Sequence, residues 1–235
     1  NQLPIKYHYL SLAGLSGARN LGIDRSDSKY LIFFDDDISP LPLALQNYAA
    51  AFRENEDVSF FGGPVYPDYE VPPSEWLLEF LPFSARGFEL AASDTFLDKP
   101  KLLGGNFAIK KQVLDAFGRF EGPCATGSSG GGVGEETRLQ ERLLRAGHTG
   151  LYLHGAAVLH YVPVSHCSEN FAKHRRWRVG YGDGQLLARV GCNEKLLLGA
   201  PRWSWRSLAS AVSKYVVSFL RRDKKSTRFS VLLDV

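Results

Sequence analysis

The chain has 235 residues, of which 44% are hydrophobic, so it can bury a full core as one large domain or two small ones. Its 28 basic and 25 acidic residues leave a net charge of +3, and no stretch interleaves basic and aromatic residues as nucleic-acid binding requires. No run approaches the roughly 18 apolar residues of a membrane-spanning helix. The three cysteines lack zinc-ligand spacing and favour free thiols in a reducing compartment.

The first predicted elements are a strand over residues 5–10 and a loop that leads into a helix at residues 16–23. Small residues precede Arg19 and Asn20 at this junction. Helix amino termini and flanking arginines bind anionic groups, so Arg19 is a candidate phosphate ligand. An ordinary surface arginine beside a helix cap is the simpler interpretation of the same residues.

A short apolar run, residues 30–34, ends in three consecutive aspartates, Asp35, Asp36 and Asp37. The uniformly apolar run predicts a strand that is buried on both faces of a parallel sheet. Three adjacent carboxylates repel one another unless a cation lies among them. Ligands bind at the carboxyl edge of open α/β sheets, so the sequence predicts a metal site at the mouth of a sheet.

The middle of the chain predicts alternating helices and strands around an irregular insertion. Two glycines, Gly104 and Gly105, precede one strand and indicate a close backbone approach to a ligand or to a neighbouring strand. The remaining predicted elements are a helix over 41–55, a strand over 58–62, an insertion over 66–100 with a short helix near 75–81, and a helix over 112–117 that Gly118 ends.

A glycine-rich stretch, residues 126–134, then runs into a helix that ends at Ala146 and Gly147. No phosphate-loop lysine follows the glycines, so the stretch predicts a flexible loop that becomes ordered when substrate binds. Glu135 and Glu136 lie in the first turn of the helix. Acids there compensate the helix dipole, and chemistry requires that one of them points into a cleft.

The last third of the chain predicts two strands, over 149–153 and 156–162, and a basic helical segment over 168–188 that is interrupted around Gly180–Gly184. His160 lies in the second strand, where a lone histidine is more often structural than a ligand. The cluster around Arg175 and Arg176 is either a solvated face or a clamp for a diphosphate.

The tail over residues 204–222 has apolar side chains at helical spacing, with tryptophans and arginines at its ends. It either docks onto the domain or lies on an anionic membrane surface, because such flanks are typical of interfacial helices.

Six stretches of this chain, in this order, resemble the family-2 glycosyltransferases. They are Ala18–Gly22, Tyr30–Asp37, Gly104–Ile109, Phe117–Glu121, Gly134–Leu139 and His160. The resemblance implies an α/β GT-A fold with a mostly parallel, Rossmann-like sheet flanked by helices. It also implies transfer of a sugar, of hexosyltransferase type, from a nucleotide sugar to an acceptor hydroxyl with Mn²⁺ or Mg²⁺ bound.

The resemblance also implies roles for single residues. Asp35 and Asp37 can both supply oxygen ligands to the metal. In the family the first aspartate faces the donor's ribose and the last faces the metal, which corresponds to Asp35 and Asp37, and Asp36 stays a candidate because three aspartates leave the register open. Glu136 takes the position of the acceptor base, after Glu135, where the family has a Glu-Asp pair. His160 matches a family position that reaches the metal or the diphosphate. The implied donor-binding residues further include Arg19, Gly105, Asn106, Arg175 and Arg176.

We therefore expect a domain over residues 1–200 and an amphipathic helical tail over 201–235. Family members begin with a nucleotide-binding segment for which nothing before Ile5 provides a match, and there is no methionine, so we expect the native segment to be lacking. The expected function is metal-dependent, inverting glycosyl transfer in the synthesis of surface polysaccharide, glycolipid or glycan. The donor would be a UDP- or GDP-sugar and the acceptor a glycan or a lipid-linked sugar.

Two other functions compete with this expectation. One is a sugar-nucleotide nucleotidyltransferase, which would carry a glycine-rich phosphate loop with basic residues near its start. The other is a non-catalytic module of the same fold that binds glycans or nucleotides. In each case we expect a cytoplasmic protein, with contact to the inner face of a membrane only if residues 204–222 bind lipid.

Overall fold

The computed structural model describes residues 4–11, 14–121, 134–190 and 196–233. Within it the chain divides into two compact units, the first formed by residues 1–66 and 87–160 and the second by residues 67–86 and 161–235. These units do not test the expected boundary at residue 200, which stays a prediction. The predicted flexible loop over 126–134 falls almost entirely on 122–133, outside the described residues.

The described part of the chain alternates helices and strands. The helices are α1 Leu15–Asp24, α2 Ala44–Glu54, α3 Glu75–Leu78, α4 Phe83–Arg86, α5 Lys111–Phe117, α6 Glu135–Arg145, α7 Glu169–Val190, α8 Arg202–Leu220 and α9 Lys225–Leu233, with a 3₁₀ turn at Val164–His166. The strands are β1 Tyr30–Phe34, β2 Ile38–Pro40, β3 Phe60–Gly62, β4 Val65–Tyr69, β5 Thr95–Phe96, β6 Asn106–Lys110, β7 Gly150–Tyr152, β8 Val158–Val162, β9 Leu196–Leu197 and β10 Ala200–Pro201.

The main sheet has the order β1-β6-β3-β7-β5. Strand β6 runs antiparallel to both β1 and β3, β7 runs parallel to β3, and β5 runs antiparallel to β7. The predicted α/β class, with a helix-flanked sheet, is therefore confirmed: β1, β3 and β7 run in one direction, and β6 and β5 run in the opposite one. Strand β6 follows the irregular insertion instead of a helical crossover and so enters the sheet against the direction of its neighbours.

The prediction that β1 is buried on both faces is wrong. Each residue of β1 is partly exposed, whereas every residue of β3, β6 and β7 is buried. Strand β1 is the outermost strand of the sheet as described. An apolar run marks a strand, but how deeply it is buried depends on whether the sheet continues beyond it.

The core of the first unit packs on both faces of this sheet. Phe60 and Phe107 belong to the cluster on one face, where α1, α5 and α6 also contribute, whereas Phe61 and Ala108 belong to the cluster on the other face with α2. Successive side chains of a strand point to opposite faces, so β3 and β6 supply both clusters. The sheet is thus covered by helices on both faces, and the three aspartates follow the end of its strand β1.

The second unit has its own core, built from α3, α7 and α9. Phe229 of α9 meets the rings of Trp76 and Phe80 edge to face, at centroid distances of 5.7 and 5.3 Å. Leu77 and Ala172 are buried in the same cluster. These aromatic contacts hold α9 against the helices of the unit.

Two further sequence predictions are wrong. Residues 5–10 form no strand, and the side chains of Ile5 and Tyr7 are 91% and 85% exposed, because their alternating pattern finds no partner strand. Helix α7 runs without interruption through Gly180 and Gly184. Among the described residues, no helix is long and apolar enough to cross a membrane.

Candidate active site

Asp35 directly follows β1 and is held by Arg19 from α1. The guanidinium Nη2 of Arg19 lies 3.1 Å from Oδ1 of Asp35, and only 6% of the Arg19 side chain is exposed. The same guanidinium lies 5.3 Å from the ring centroid of Phe120. Arg19 is therefore a buried cation that fixes the first aspartate, and not the ordinary surface arginine of the simpler interpretation.

The second partner of Arg19 is Glu135, the first residue of α6. Nη1 of Arg19 lies 3.4 Å from Oε1 of Glu135, whose side chain is 6% exposed. Gly134 precedes it with φ of 93°, a left-handed conformation that glycine adopts without strain and that turns the chain into the helix. One guanidinium thus joins the start of α6 to the end of β1.

The paired glycines make this arrangement possible. Strand pairing sets Phe34 opposite Asn106, so the residue after β1 meets the residues before β6. A Cβ at Gly104 would lie 2.8 Å from Nη2 of Arg19, and one at Gly105 would lie 3.0 Å from Oδ2 of Asp35. A close backbone approach is present as predicted, but it is to the side chains of Arg19 and Asp35 rather than to a ligand or a neighbouring strand.

A reciprocal pair of hydrogen bonds fixes α1 from its other side. The side-chain amide of Asn20 donates to the carbonyl of Phe120 at 3.0 Å, and its Oδ1 accepts from the N–H of Phe120 at 3.0 Å. Both bonds use backbone groups that would otherwise need other partners. They hold Phe120 where its ring meets Arg19.

Asp37 forms the second polar pair of the site, with His160 of β8. Nε2 of His160 lies 3.3 Å from Oδ2 of Asp37, and Ile38 pairs with His160 across β2 and β8. The Nδ1 atom of His160 is buried and has no hydrogen-bond partner among the residues described. Asp37 is therefore the group that orients this ring.

A cavity of about 440 Å³ lies beside these residues and is lined by α1, the end of β1 and the three aspartates. Arg19, Asp35, Asp36 and Asp37 all contribute to its wall. Ligand sites commonly have volumes of about 300–1,000 Å³. The structure thus brings four of the predicted site residues to one cavity, with His160, Gly105 and Glu135 each in contact with one of them.

Asn106 is placed differently from the other predicted residues. It is fully buried, its amide nitrogen donates to the carbonyls of Pro64 and Ala156 at 3.0 and 2.8 Å, and its Oδ1 accepts from the hydroxyl of Tyr48 at 2.7 Å. Burial raises the pKa of Tyr48 well above its ordinary value of 10.0, which keeps that hydroxyl a donor. The Asn106 side chain ties three segments together beneath the site.

Three further predicted residues are outside the described lining of the cavity. Glu136 is partly buried in the first turn of α6, next to Glu135. Arg175 and Arg176 lie on α7, in the second unit, with Arg176 exposed.

Sequence reasoning missed the contribution of Phe120 and Tyr48. Phe120 contacts Arg19 and Tyr48 contacts Asn106, and a contact between residues so far apart along the chain leaves no periodic signal in the sequence.

Asp37 and His160 are the residues whose spacing could accommodate two ligands of one divalent cation. Two ligands of one ion, each about 2.1 Å from it, lie about 3 Å apart at neighbouring octahedral positions, and the observed separation is 3.3 Å. Within the described ranges, no group of three histidine, cysteine, aspartate or glutamate side chains is close enough to hold a metal. The pair would leave the other coordination positions to a ligand.

The comparisons with known proteins extend this picture. Residues 2–118 match glycosyl transferase family 2, a range that includes α1, the three aspartates, the paired glycines and β6. A search of curated proteins gave no match.

Proposed function

We propose that this chain, whose residues 2–118 belong to glycosyl transferase family 2, transfers a sugar from a nucleotide-sugar donor to an acceptor hydroxyl with inversion at the anomeric carbon. The observation that supports it best is the arrangement at the end of β1. There Asp35 is fixed by Arg19 and Asp37 is paired with His160 beside one cavity. A site with its groups already oriented stabilises developing charge without reorganising during the reaction.

The charge balance of the site supports metal dependence. Among the residues described, Arg19 is the one basic side chain in the lining of the cavity, where it stands beside Asp35, Asp36 and Asp37, and it also contacts Glu135. A diphosphate, itself an anion, would be repelled by this excess of carboxylates unless a cation lay between them. We propose that Asp37 and His160 hold Mn²⁺ or Mg²⁺, which would neutralise charge on the leaving diphosphate.

The two glutamates at the start of α6 have different roles in this proposal. Glu135 is buried against Arg19, so its carboxylate is already occupied in holding the site together. Glu136, one residue further on and partly buried, is the proposed base that accepts the proton of the acceptor hydroxyl. Glu135 is then a positioning residue that acts through Arg19.

The remaining elements of the proposal concern substrates. We propose a UDP- or GDP-sugar as donor, and a glycan or a lipid-linked acceptor in the synthesis of surface polysaccharide, glycolipid or glycan. Arg175 and Arg176 are proposed as further donor contacts, because paired arginines bind phosphate oxygens well.

The test is a transfer and donor-hydrolysis assay with a panel of nucleotide sugars, with and without Mn²⁺. Asp37→Asn and Glu136→Gln are compared with the matched control Asp27→Asn, which changes an exposed aspartate before β1. We expect losses of about 100-fold or more for the first two variants and little change for the control. Activity that is metal-dependent and unchanged in Asp37→Asn would refute the metal assignment. A wild-type chain that binds nucleotide sugars but never turns them over would favour the non-catalytic module.

A further inference from the structure

Helix α8, Arg202–Leu220, carries an exposed apolar stripe along its length. Trp205, Leu208, Val212, Val216 and Phe219 follow one another at spacings of three and four residues, and all are exposed. That spacing places them on one side of a helix. We call these five residues the apolar stripe. The side of α8 that packs within the second unit is different, since its buried residues are Ala211 and Ser218.

A second apolar feature contacts the beginning of α8. Strands β9 and β10 form a short hairpin that exposes Leu196 and Leu197 of β9 and Leu198 of the turn, which we call together the leucine tip. The indole N–H of Trp205 donates to the carbonyl of Leu197 at 2.7 Å, so the hairpin is attached to the helix that bears the stripe. The leucines of the hairpin therefore lie beside Trp205, the first residue of the stripe.

Leu198 is unusual in its backbone as well as in its exposure. It is 85% exposed and has φ of 50°, in the left-handed region that a leucine rarely adopts. Glycine or asparagine would take that conformation at less cost. A strained leucine that makes little contact with its own protein is explained if the side chain contacts something else.

The charged residues within the segment that forms this surface, residues 196–222, have one sign. Between residues 196 and 222 the chain has no acidic residue, and its basic residues are Arg202, Arg206, Lys214, Arg221 and Arg222. Two copies joined through this surface would bring like charges together. An anionic surface with an apolar layer beneath it complements both the charge and the stripe.

We propose that α8 and the leucine tip bind the surface of a membrane that contains anionic phospholipids. The helix lies in the plane of the interface, with the apolar stripe and the leucines entering the acyl region and the basic side chains reaching the phosphate groups. The 19 residues of α8 make a helix of about 28 Å, long enough to lie across several headgroups. This inference does not depend on the proposed transfer reaction.

The test is flotation of the full chain with vesicles of phosphatidylcholine alone or with about 30% phosphatidylglycerol. We expect binding to the anionic vesicles, little to the neutral ones, and strong weakening at about 1 M salt, where the Debye length is only about 3 Å. No binding to anionic vesicles, or equal binding to both kinds, would overturn the proposal. So would a concentration-dependent dimer that the stripe alone maintains without any vesicle binding.

A pair of double variants separates the stripe from simple charge. Val212→Glu with Val216→Glu places two acids on the stripe, and Ser210→Glu with Ser213→Glu places two at exposed positions of the same helix that lie outside both the stripe and the row of Ala211 and Ser218. We expect the first pair to reduce vesicle binding by about tenfold or more and the second by about threefold or less. Equal losses would show that only net charge matters and would contradict the role of the stripe.

A single substitution at Leu198 shows whether a loss of vesicle binding is caused by unfolding. Leu198→Asn removes the apolar side chain but suits the left-handed backbone. We expect vesicle binding to fall several-fold while Tm stays the same or rises. If Tm fell and binding did not, Leu198 would serve the fold and the tip would have no part in the proposal.

Discussion

Arg19 is the residue on which the site most depends, because it neutralises two carboxylates in a place with little water. Removing one partner of a buried ion pair leaves an uncompensated charge and costs about 3–5 kcal/mol. Glu135 is the partner that is left buried, at 6% exposure, whereas Asp35 still reaches solvent at 35%. Loss of the Arg19 charge should therefore destabilise the buried carboxylate of Glu135 more than the partly exposed carboxylate of Asp35.

We expect Arg19→Met to lower the free energy of unfolding by about 3 kcal/mol, and Glu135→Gln added to it to restore part of that loss. Activity should stay low in the double variant, because Asp35 is still not held. Urea denaturation and the transfer assay measure the two effects separately. Strictly additive losses would show that the two side chains do not interact.

The three aspartates are adjacent in sequence but differ in their contacts. Asp35 is paired with Arg19 and Asp37 with His160, while Asp36 lines the same cavity between them. We therefore expect Asp36→Asn to reduce metal-dependent activity by about tenfold or less, and Asp37→Asn by about 100-fold or more. Calorimetric titration of Mn²⁺ in the presence of nucleoside diphosphate would check the same order. A larger effect of the Asp36 substitution would indicate that Asp36, and not Asp37, is the metal ligand.

Gly104 shows why the site needs glycine at a particular position. Alanine there would place its Cβ within 3 Å of both terminal nitrogens of Arg19, which is held by two carboxylates and cannot move away freely. We expect Gly104→Ala to cost about 1–3 kcal/mol and to lower activity by about tenfold or more. Unchanged activity would mean that Arg19 can shift without disturbing Asp35.

At the scale of the elements, helix α7 contains glycines with free space around them, in contrast to Gly104, and these provide a control. Gly180 and Gly184 lie inside a continuous helix, and an added Cβ would meet no described atom within 4 Å. Alanine should stabilise the helix by about 0.5–1 kcal/mol at each position because it restricts the unfolded chain. Thermal denaturation of Gly180→Ala should show a higher Tm. A lower Tm would reveal a need for glycine that the described contacts do not explain.

Helices and strands with strong local patterns could be predicted from the sequence, and their partners could not. The run ending in three aspartates predicted β1, and the paired glycines predicted a close approach, since both signals lie within a few residues. The exposure of β1 and the direction of β6 depend on which strand lies alongside, which no local pattern encodes. The bond between Tyr48 and Asn106 joins residues 58 positions apart and gave no sign in either segment.

For the whole molecule, His148 makes stability depend on pH. Burial, together with the positive charge of Lys110, lowers the pKa of His148 below its ordinary value of 6.5, and Nδ1 contacts the Ser59 hydroxyl at 2.8 Å. A group whose pKa is lower in the folded state binds more protons when the chain is unfolded. The neutral His148 therefore stabilises the fold fully when the pH is above the pKa that this histidine has in the unfolded chain. That stabilisation is lost as the pH falls through this pKa towards the lower pKa of the folded chain.

We expect the free energy of unfolding to decline from about pH 7 to about pH 5, and His148→Gln, which can still bond to Ser59, to decline less steeply. Urea denaturation across this range measures both slopes. Identical slopes for the variant and the parent chain would contradict the assignment.

The ion pairs of Arg19 also bear on how the chain is made. Asp35 follows Arg19 by 16 residues and Glu135 by 116, so during synthesis the first partner emerges early and the second much later. Until α6 has left the ribosome, burial of the guanidinium is only half compensated, and closing so long a loop costs chain entropy. The site is then among the last parts of the first unit to form, and a stalled or truncated nascent chain that ends before Glu135 would expose Arg19 and Phe120 to chaperones and proteases.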